Sequence, residues 1–429
     1  MTRRIIQVEE KVPVLQGFPL SLQHLFAMFG ASVLVPTLFR IDPAIVLLMN
    51  GIGTLLYLVL CKGKAPAFLG SSFAFLSPVF VVLGTDQALW GANYPLALGG
   101  FIASGLVFCL VALIIGAFGS DWIKVVLPPA TMGPIVALIG LELAGVATGM
   151  AGLTPDATGA YNFDAIVVSM VTLLVVAFGS VVFRGFMAVI PVLIGIIVGY
   201  VVSIFMGMVS FESIAAAPVL AFPTVYVPRF DLNAIIIILP ASLVVISEHI
   251  GHLVVTGNIV NRDLTKDPGL HRSLLGDGLS TMLSGFMGSV PVTTYGENIG
   301  VMAITRVYSV WVIGGAAVIS IALGFVGKLS AFIQSIPTPV MGGICILLFG
   351  VIAASGIRML VEAKVDYSKP ANLMLTAVVL IVGLSGAAVS IGTVQLKGMA
   401  LGTVVGMGLS MTFHALECLG ITQPGGAAE

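Results

Sequence analysis

Apolar runs of about 20 residues, long enough to cross a bilayer as helices, alternate with short polar stretches along the whole chain. Reading between charges gives candidate spans near 17–39, 43–61, 70–84, 95–118, 127–148, 164–183 and 187–208. A second series follows near 232–255, 272–289, 295–306, 308–327, 336–357, 370–391 and 396–415, so each half of the chain holds seven. The third and tenth spans are too short for a full helix. One follows Ala65-Pro66-Ala67-Phe68-Leu69-Gly70-Ser71-Ser72, the other Gly288-Ser289-Val290-Pro291-Val292-Thr293-Thr294. Both stretches read as extended, which predicts short strands running into half-helices that begin near Phe73 and Gly296. Irregular backbone is tolerated at membrane depth only where protein buries it or a cavity receives it.

The halves also resemble each other. Leu127-Pro128-Pro129-Ala130-Thr131-Met132-Gly133 aligns with Ile336-Pro337-Thr338-Pro339-Val340-Met341-Gly342, and Gly195-x-x-x-Gly199 with Gly402-x-x-x-Gly406. Pro19-Leu20-Ser21-Leu22 opens the first span and Pro240-Ala241-Ser242-Leu243 lies in the eighth. An odd number of spans per copy makes the second copy enter from the opposite side, the inverted repeat of secondary transporters, with the ligand site near mid-membrane. The Gly pairs themselves read as close helix packing. The expected fold is an all-α polytopic membrane protein of 14 segments in two inverted seven-segment repeats.

Composition points the same way. Of 429 residues, 58% are hydrophobic and 9% charged, where a soluble domain carries about a quarter charged. Lipid is therefore the solvent for most of the surface. A net charge of −1 without a basic stripe argues against a nucleic-acid partner. With the N-terminus inside, only Arg40, Arg229, Lys328 and Lys397 of the 18 Lys and Arg residues fall outside. That bias places both termini in the cytoplasm. Met1 to Pro13 carries no cleavable signal pattern. Cys61, Cys109, Cys345 and Cys418 are scattered, without metal-ligand spacing, and read as space-filling residues. No nucleophile with its base, metal cluster or phosphate-cradling loop is visible, which disfavours an enzyme; no metal or cofactor is expected.

Ionisable groups within spans are costly and point to function. Glu248 and His252 share one helix face in Glu248-His249-Ile250-Gly251-His252, whereas His249 points about 100° away and reads as packing. Glu297 sits in the first turn of the second half-helix, and Gln23-His24 early in the first span. Glu142, near the outer end of the fifth span, reads as structural. Two carboxyl groups can accept from ring N–H groups while half-helix N–H groups donate to ring carbonyls, with Phe73 and Tyr295 as flat walls. Such a site suits a small, neutral, planar lactam. Uracil meets those demands, and the chemistry alone does not choose it over xanthine. An anion transporter of related architecture would want a cation near the half-helix ends, and none is visible.

These residues resemble a known family. Glu297-Asn298-Ile299-Gly300-Val301-Met302-Ala303-Ile304-Thr305-Arg306 is similar to the signature of the nucleobase–ascorbate transporter family, and Gln23-His24 to its first-span motif. Glu248-His249-Ile250-Gly251-His252 and Gly70-Ser71-Ser72-Phe73-Ala74-Phe75 resemble its bacterial uracil:proton branch, and the similarity runs over essentially the whole chain. The resemblance implies a core domain of segments 1–4 (17–118) and 8–11 (231–328), and a gate domain of segments 5–7 (119–230) and 12–14 (329–418). Residues 1–16 and 419–429 would be cytoplasmic, the latter a tail. It implies a homodimer in the bacterial inner membrane, an elevator-like movement of core against gate, and uracil symport with a proton. Carried over by position, Glu248 and Glu297 hold the ring, aided by the backbone N–H groups of Phe73 and Gly296. Tyr295 packs on it, His252 partners Glu248, Glu297, Glu248 and His252 serve proton coupling, and His24, Gln23, Ser72, Asn298 and Phe349 support the site. Purine and ascorbate members tend to carry Gln where this chain has Glu297. Val292 replaces an Asn of relatives and Phe349 a Tyr, implying a drier pocket edge.

Overall fold

The computed structural model describes residues 5–155, 159–391 and 394–421. Arg3 and Arg4 of the charge count and the tail segment from Gln423 to Glu429 lie outside the described residues.

Each apolar run carries a helix, and prolines and capping side chains set many of the starts. α1 (Val14–Phe39) ends where Arg40 turns left-handed, and Asp42 caps α2 (Pro43–Leu60) by accepting from the Ala44 N–H at 2.9 Å. β1 (Leu69–Ser71) then leads through a 3-10 turn at Phe73–Phe75 into α3 (Leu76–Leu83) and α4 (Trp90–Phe118). The short α5 (Asp121–Val126) precedes α6 (Pro129–Glu142) and α7 (Ala144–Met150), which a single turn residue, Leu143, separates and which together make one span, Pro129–Met150, over the expected 127–148. α8 (Phe163–Val182), α9 (Pro191–Phe205) and the short α10 (Glu212–Ala216) complete the first half. The second half runs α11 (Leu232–Val260), α12 (Leu270–Phe286), β2 (Val292–Thr294), α13 (Gly296–Thr305), α14 (Val310–Leu323) and α15 (Gly327–Gln334). α16 (Thr338–Glu362), α17 (Pro370–Leu384) and α18 (Gly398–Cys418) follow. Among the described residues eight helices are long and apolar enough to cross a membrane.

The expected 370–391 span needs correction. Its helix stops at Leu384, Gly386 takes φ 73°, and β3 (Ala388–Ile391) pairs antiparallel with β4 (Val394–Lys397) before α18 begins. Apolar strands and apolar helix turns look alike when the run is this short. Among the described residues the chain is thus mostly helical, with short strands β1 and β2 where they are expected and the β3–β4 sheet as the departure.

Helices pack in two sets of neighbours. α2, α4, α12 and α14 contact one another in sequence-distant pairs, with α1 on α14 and α11 on α4. α16 packs on α6, α7, α8 and α9, while α17 and α18 pack on each other and on α6. Small residues permit these approaches: a Cβ on Gly105 would lie 2.6 Å from the Gly278 carbonyl oxygen. The Gly195–Gly199 pair works the same way against α8, where a Cβ on Gly199 would lie 2.1 Å from Thr172 Oγ1. That is close packing, as the spacing suggests. The described part of the N-terminal segment is docked. Ile6 exchanges backbone bonds with Arg306 and Tyr308 (3.0 and 2.9 Å), and Glu9 pairs with Arg262 just beyond α11.

Candidate functional site

β1 and β2 pair antiparallel, Leu69 with Thr294, Gly70 with Thr293 and Ser71 with Val292. Each strand leads directly into a helix start, at Phe73 and at Gly296. Ser72 donates its N–H to Pro291 O (2.9 Å), and Tyr295 to Phe68 O (3.1 Å). Tyr295 then folds back across β1: its hydroxyl donates to Ser71 O at 2.7 Å, and its ring lies over Gly70. A Cβ at Gly70 would fall 2.4 Å from Tyr295 Cε2, so only glycine fits. Neither Ser72 nor Tyr295 caps the helix start it precedes with its side chain. The first N–H groups at Phe73 and at Gly296 are therefore free to act as donors, at the positive ends of their helices.

Long helix α11 runs past this sheet. Glu248 is half-buried and lies within electrostatic reach of Glu297 and Asp277. Glu297 is exposed on α13, its carboxylate close to its own backbone N–H. Neither acid has a side-chain hydrogen-bond or ion-pair partner among the described residues. Two acids within electrostatic reach of each other repel when both are ionised, and a proton on either relieves that repulsion.

His252 does lie on the Glu248 face of α11, yet the expected pairing of the two is not formed. Its Nδ1 faces Thr294 Oγ1 at 3.2 Å, and Nε2 would stand 3.2 Å from a Cβ on Gly296. His252 thus braces β2 and the start of α13. Phe73 meets Phe349 of α16 edge-on, ring centroids 6.2 Å apart. Gln23 and His24 are buried on α1, and His24 Nδ1 has no protein partner. Ser72 Oγ and both amide atoms of Asn298 are likewise buried without a protein partner among the described residues. The structure forms no hydrogen bond between Gln23, His24 or Asn298 and either carboxylate.

His249 is not the packing residue that its position on the helix suggests. It is fully buried, with Nδ1 3.0 Å from Asp277 Oδ2 and Nε2 2.7 Å from Ser273 Oγ, which in turn meets Tyr57 Oη at 2.7 Å. Thr293 Oγ1 adds a 3.4 Å contact to Asp277. This network ties α2, α11 and α12 to β2. Asp277 sits in no motif, and its one signal is an acid amid Gly, Leu and Ser in an apolar segment. Removing one member of a buried pair leaves an uncompensated polar group, at about 3–5 kcal/mol. His249→Leu is therefore expected to lower the thermal midpoint of the detergent-solubilised protein. A His249→Leu/Asp277→Leu double variant should lose less than the sum of the singles.

Known proteins resemble this chain over almost all of its length. A family model described as Permease family matches residues 15–392. The chain is 62% identical over 419 residues to the uracil permease of Escherichia coli K12, covering 98% of this chain and 96% of that one. It is 60% identical over 422 residues to the uracil permease of Paenibacillus larvae, covering 98% and 99%. Among solved structures, the murine Solute Carrier 26 family member A9 anion transporter superposes with TM-score 0.73 at 12% identity, over 95% of this chain and 69% of that one. This chain spans 66% of a second structure of SLC26A9. The transmembrane domain of the cyanobacterial bicarbonate transporter BicA superposes with TM-score 0.61 at 11% identity, over 98% and 100%. These structural likenesses speak for the fold. The paired strand–helix elements, the two acids beside them and the full-length sequence match lead to one conclusion: this multi-pass membrane protein is a transporter, not an enzyme, and belongs to the nucleobase–ascorbate transporter family.

Proposed function

We propose that the protein carries uracil together with a proton across a bacterial inner membrane, by alternating access. The observation that carries this reading is the pairing of two acceptor acids, Glu248 and Glu297, with two uncapped helix starts at Phe73 and Gly296 around one two-stranded sheet. A uracil ring offers two N–H donors and two carbonyl acceptors to that set. The relatives 60–62% identical carry the name uracil permease, which favours uracil over xanthine. An anion would meet two acids at the helix starts, so the fold's likeness to anion transporters does not extend to this site.

The rest of the reading follows. Fourteen segments form two inverted repeats, and the antiparallel pairing of β1 with β2 supports that relation. The set around α1–α4 and α11–α14 is the core that moves, and α5–α9 with α16–α18 the gate, as their separate packing partners suggest. Both termini are cytoplasmic, and the molecule works as a homodimer. Glu297, exposed in this conformation, takes the coupled proton, and its neutralisation lets the ring dock and the core move.

Radiolabelled uracil uptake into cells expressing the protein tests the whole. Uptake abolished by a protonophore and untouched by excess xanthine is expected. Uptake indifferent to the protonophore sinks proton coupling, and competition by xanthine makes this a purine permease. Gly70→Ala is expected to push Tyr295 off its shelf and weaken uracil binding at least about fivefold, since an overpacked site costs roughly 1–3 kcal/mol. Titration of the purified variant with uracil checks it.

A further inference from the structure

Glu142, which the sequence marks as structural, joins the two sets of helices. It ends α6, in the set with α16–α18, and its Oε1 accepts from Ser77 Oγ of α3 at 2.6 Å. Its Oε2 accepts from the Met399 N–H at the start of α18, at 3.0 Å. Gly398, at φ 57°, cradles the carboxylate so closely that a Cβ there would lie 1.9 Å from Oε1. The α18 side of this arrangement is built in: a backbone donor, a positive helix end and a fitted glycine. The Ser77 side is a single hydroxyl that can leave.

Its location gives the contact a meaning. Ser77 lies one turn beyond Phe73, whose ring abuts Phe349, so both contacts close the site on the α3 side. The α13 side differs: Glu297, Gly300 and Ile304 form an exposed stripe down α13. A site reachable from one side and barred on the other must exchange the two conditions to transport.

We propose that Glu142 is a latch: by holding Ser77 it stabilises the orientation that is closed on the α3 side, and the transport cycle requires the two to part. This rests on the alternating-access reading above. Glu142 acts on orientation and does not touch the ligand.

The test uses Ser77→Cys/Glu142→Cys in a Cys418→Ser background, since Cys418 is the exposed cysteine among the described residues. Before cross-linking, uracil uptake is expected, which keeps the transport reading separate from the latch. Bridging the pair with a short bifunctional thiol reagent should abolish uptake, and reductant should restore it. Uracil binding by the bridged, solubilised protein should persist through the α13 side. A bridged protein that transports at the unbridged rate overturns the latch. Loss of uptake before bridging is resolved by Ser77→Ala, which leaves the Met399 contact intact. That variant should shift the balance of orientations roughly tenfold, about 1.4 kcal/mol, seen as faster hydrogen exchange in 76–83 with uracil affinity changed far less than the uptake rate. Unchanged exchange and unchanged uptake in Ser77→Ala also overturn it.

Discussion

Glu248→Ala is expected to weaken uracil binding by at least about tenfold. A ring N–H donating to a carboxylate contributes about 1.5–3 kcal/mol, and the loss of one such bond exceeds the roughly 1.4 kcal/mol that tenfold requires. Nothing nearby can substitute. His252 is committed to Thr294 and His249 to Asp277 and Ser273, so the freed ring N–H would have no protein acceptor. Scintillation proximity with tritiated uracil on purified protein measures this, and the thermal midpoint of the same sample guards against misfolding. Glu248→Gln, which keeps shape and one acceptor oxygen, should lose less. A folded Glu248→Ala protein that binds uracil like the parent would mean that the pocket lies elsewhere.

Glu297→Gln separates binding from coupling. The amide keeps an acceptor oxygen for the ring but cannot exchange a proton. Labelled uracil should still exchange for unlabelled uracil across vesicles that carry the variant, while accumulation disappears. One positive charge moving inward gains about 2.3 kcal/mol per 100 mV, which sustains a roughly 50-fold gradient. In the variant that ratio should fall to about 1 and no longer respond to a protonophore. A Glu297→Gln transporter that still concentrates uracil would move the coupled proton to another group, and Glu248 and the buried His249–Asp277 pair would be the next to examine.

The resemblance of particular residues to the family signature carried more of the site than composition or periodicity could. Strand-then-helix starts at Phe73 and Gly296 follow from stretches too short for a helix and rich in Gly, Pro or β-branched residues. Helix positions also give which residues share a face, as Glu248 and His252 do. They do not give hydrogen-bond partners, because those depend on what another element brings. His252 meets Thr294 only because β2 crosses α11 there, and His249 meets Asp277 only because α12 packs behind it. The β3–β4 hairpin is invisible for a related reason: apolar residues suit either state, and its pairing is local geometry rather than pattern.

By itself the sequence determines that this chain lives in lipid, where most of its helices lie and which acids stand inside apolar runs. It can do so because the bilayer imposes length and apolarity on every crossing, and makes each retained charge stand out. The tertiary structure alone decides that Tyr295 seals Gly70, that an unremarked Asp277 anchors His249, and that Glu142 reaches from α18 to Ser77. Those contacts join residues from 28 (His249 with Asp277) to 257 positions apart, and only folding brings such residues within the 3 Å or so over which a hydrogen bond acts.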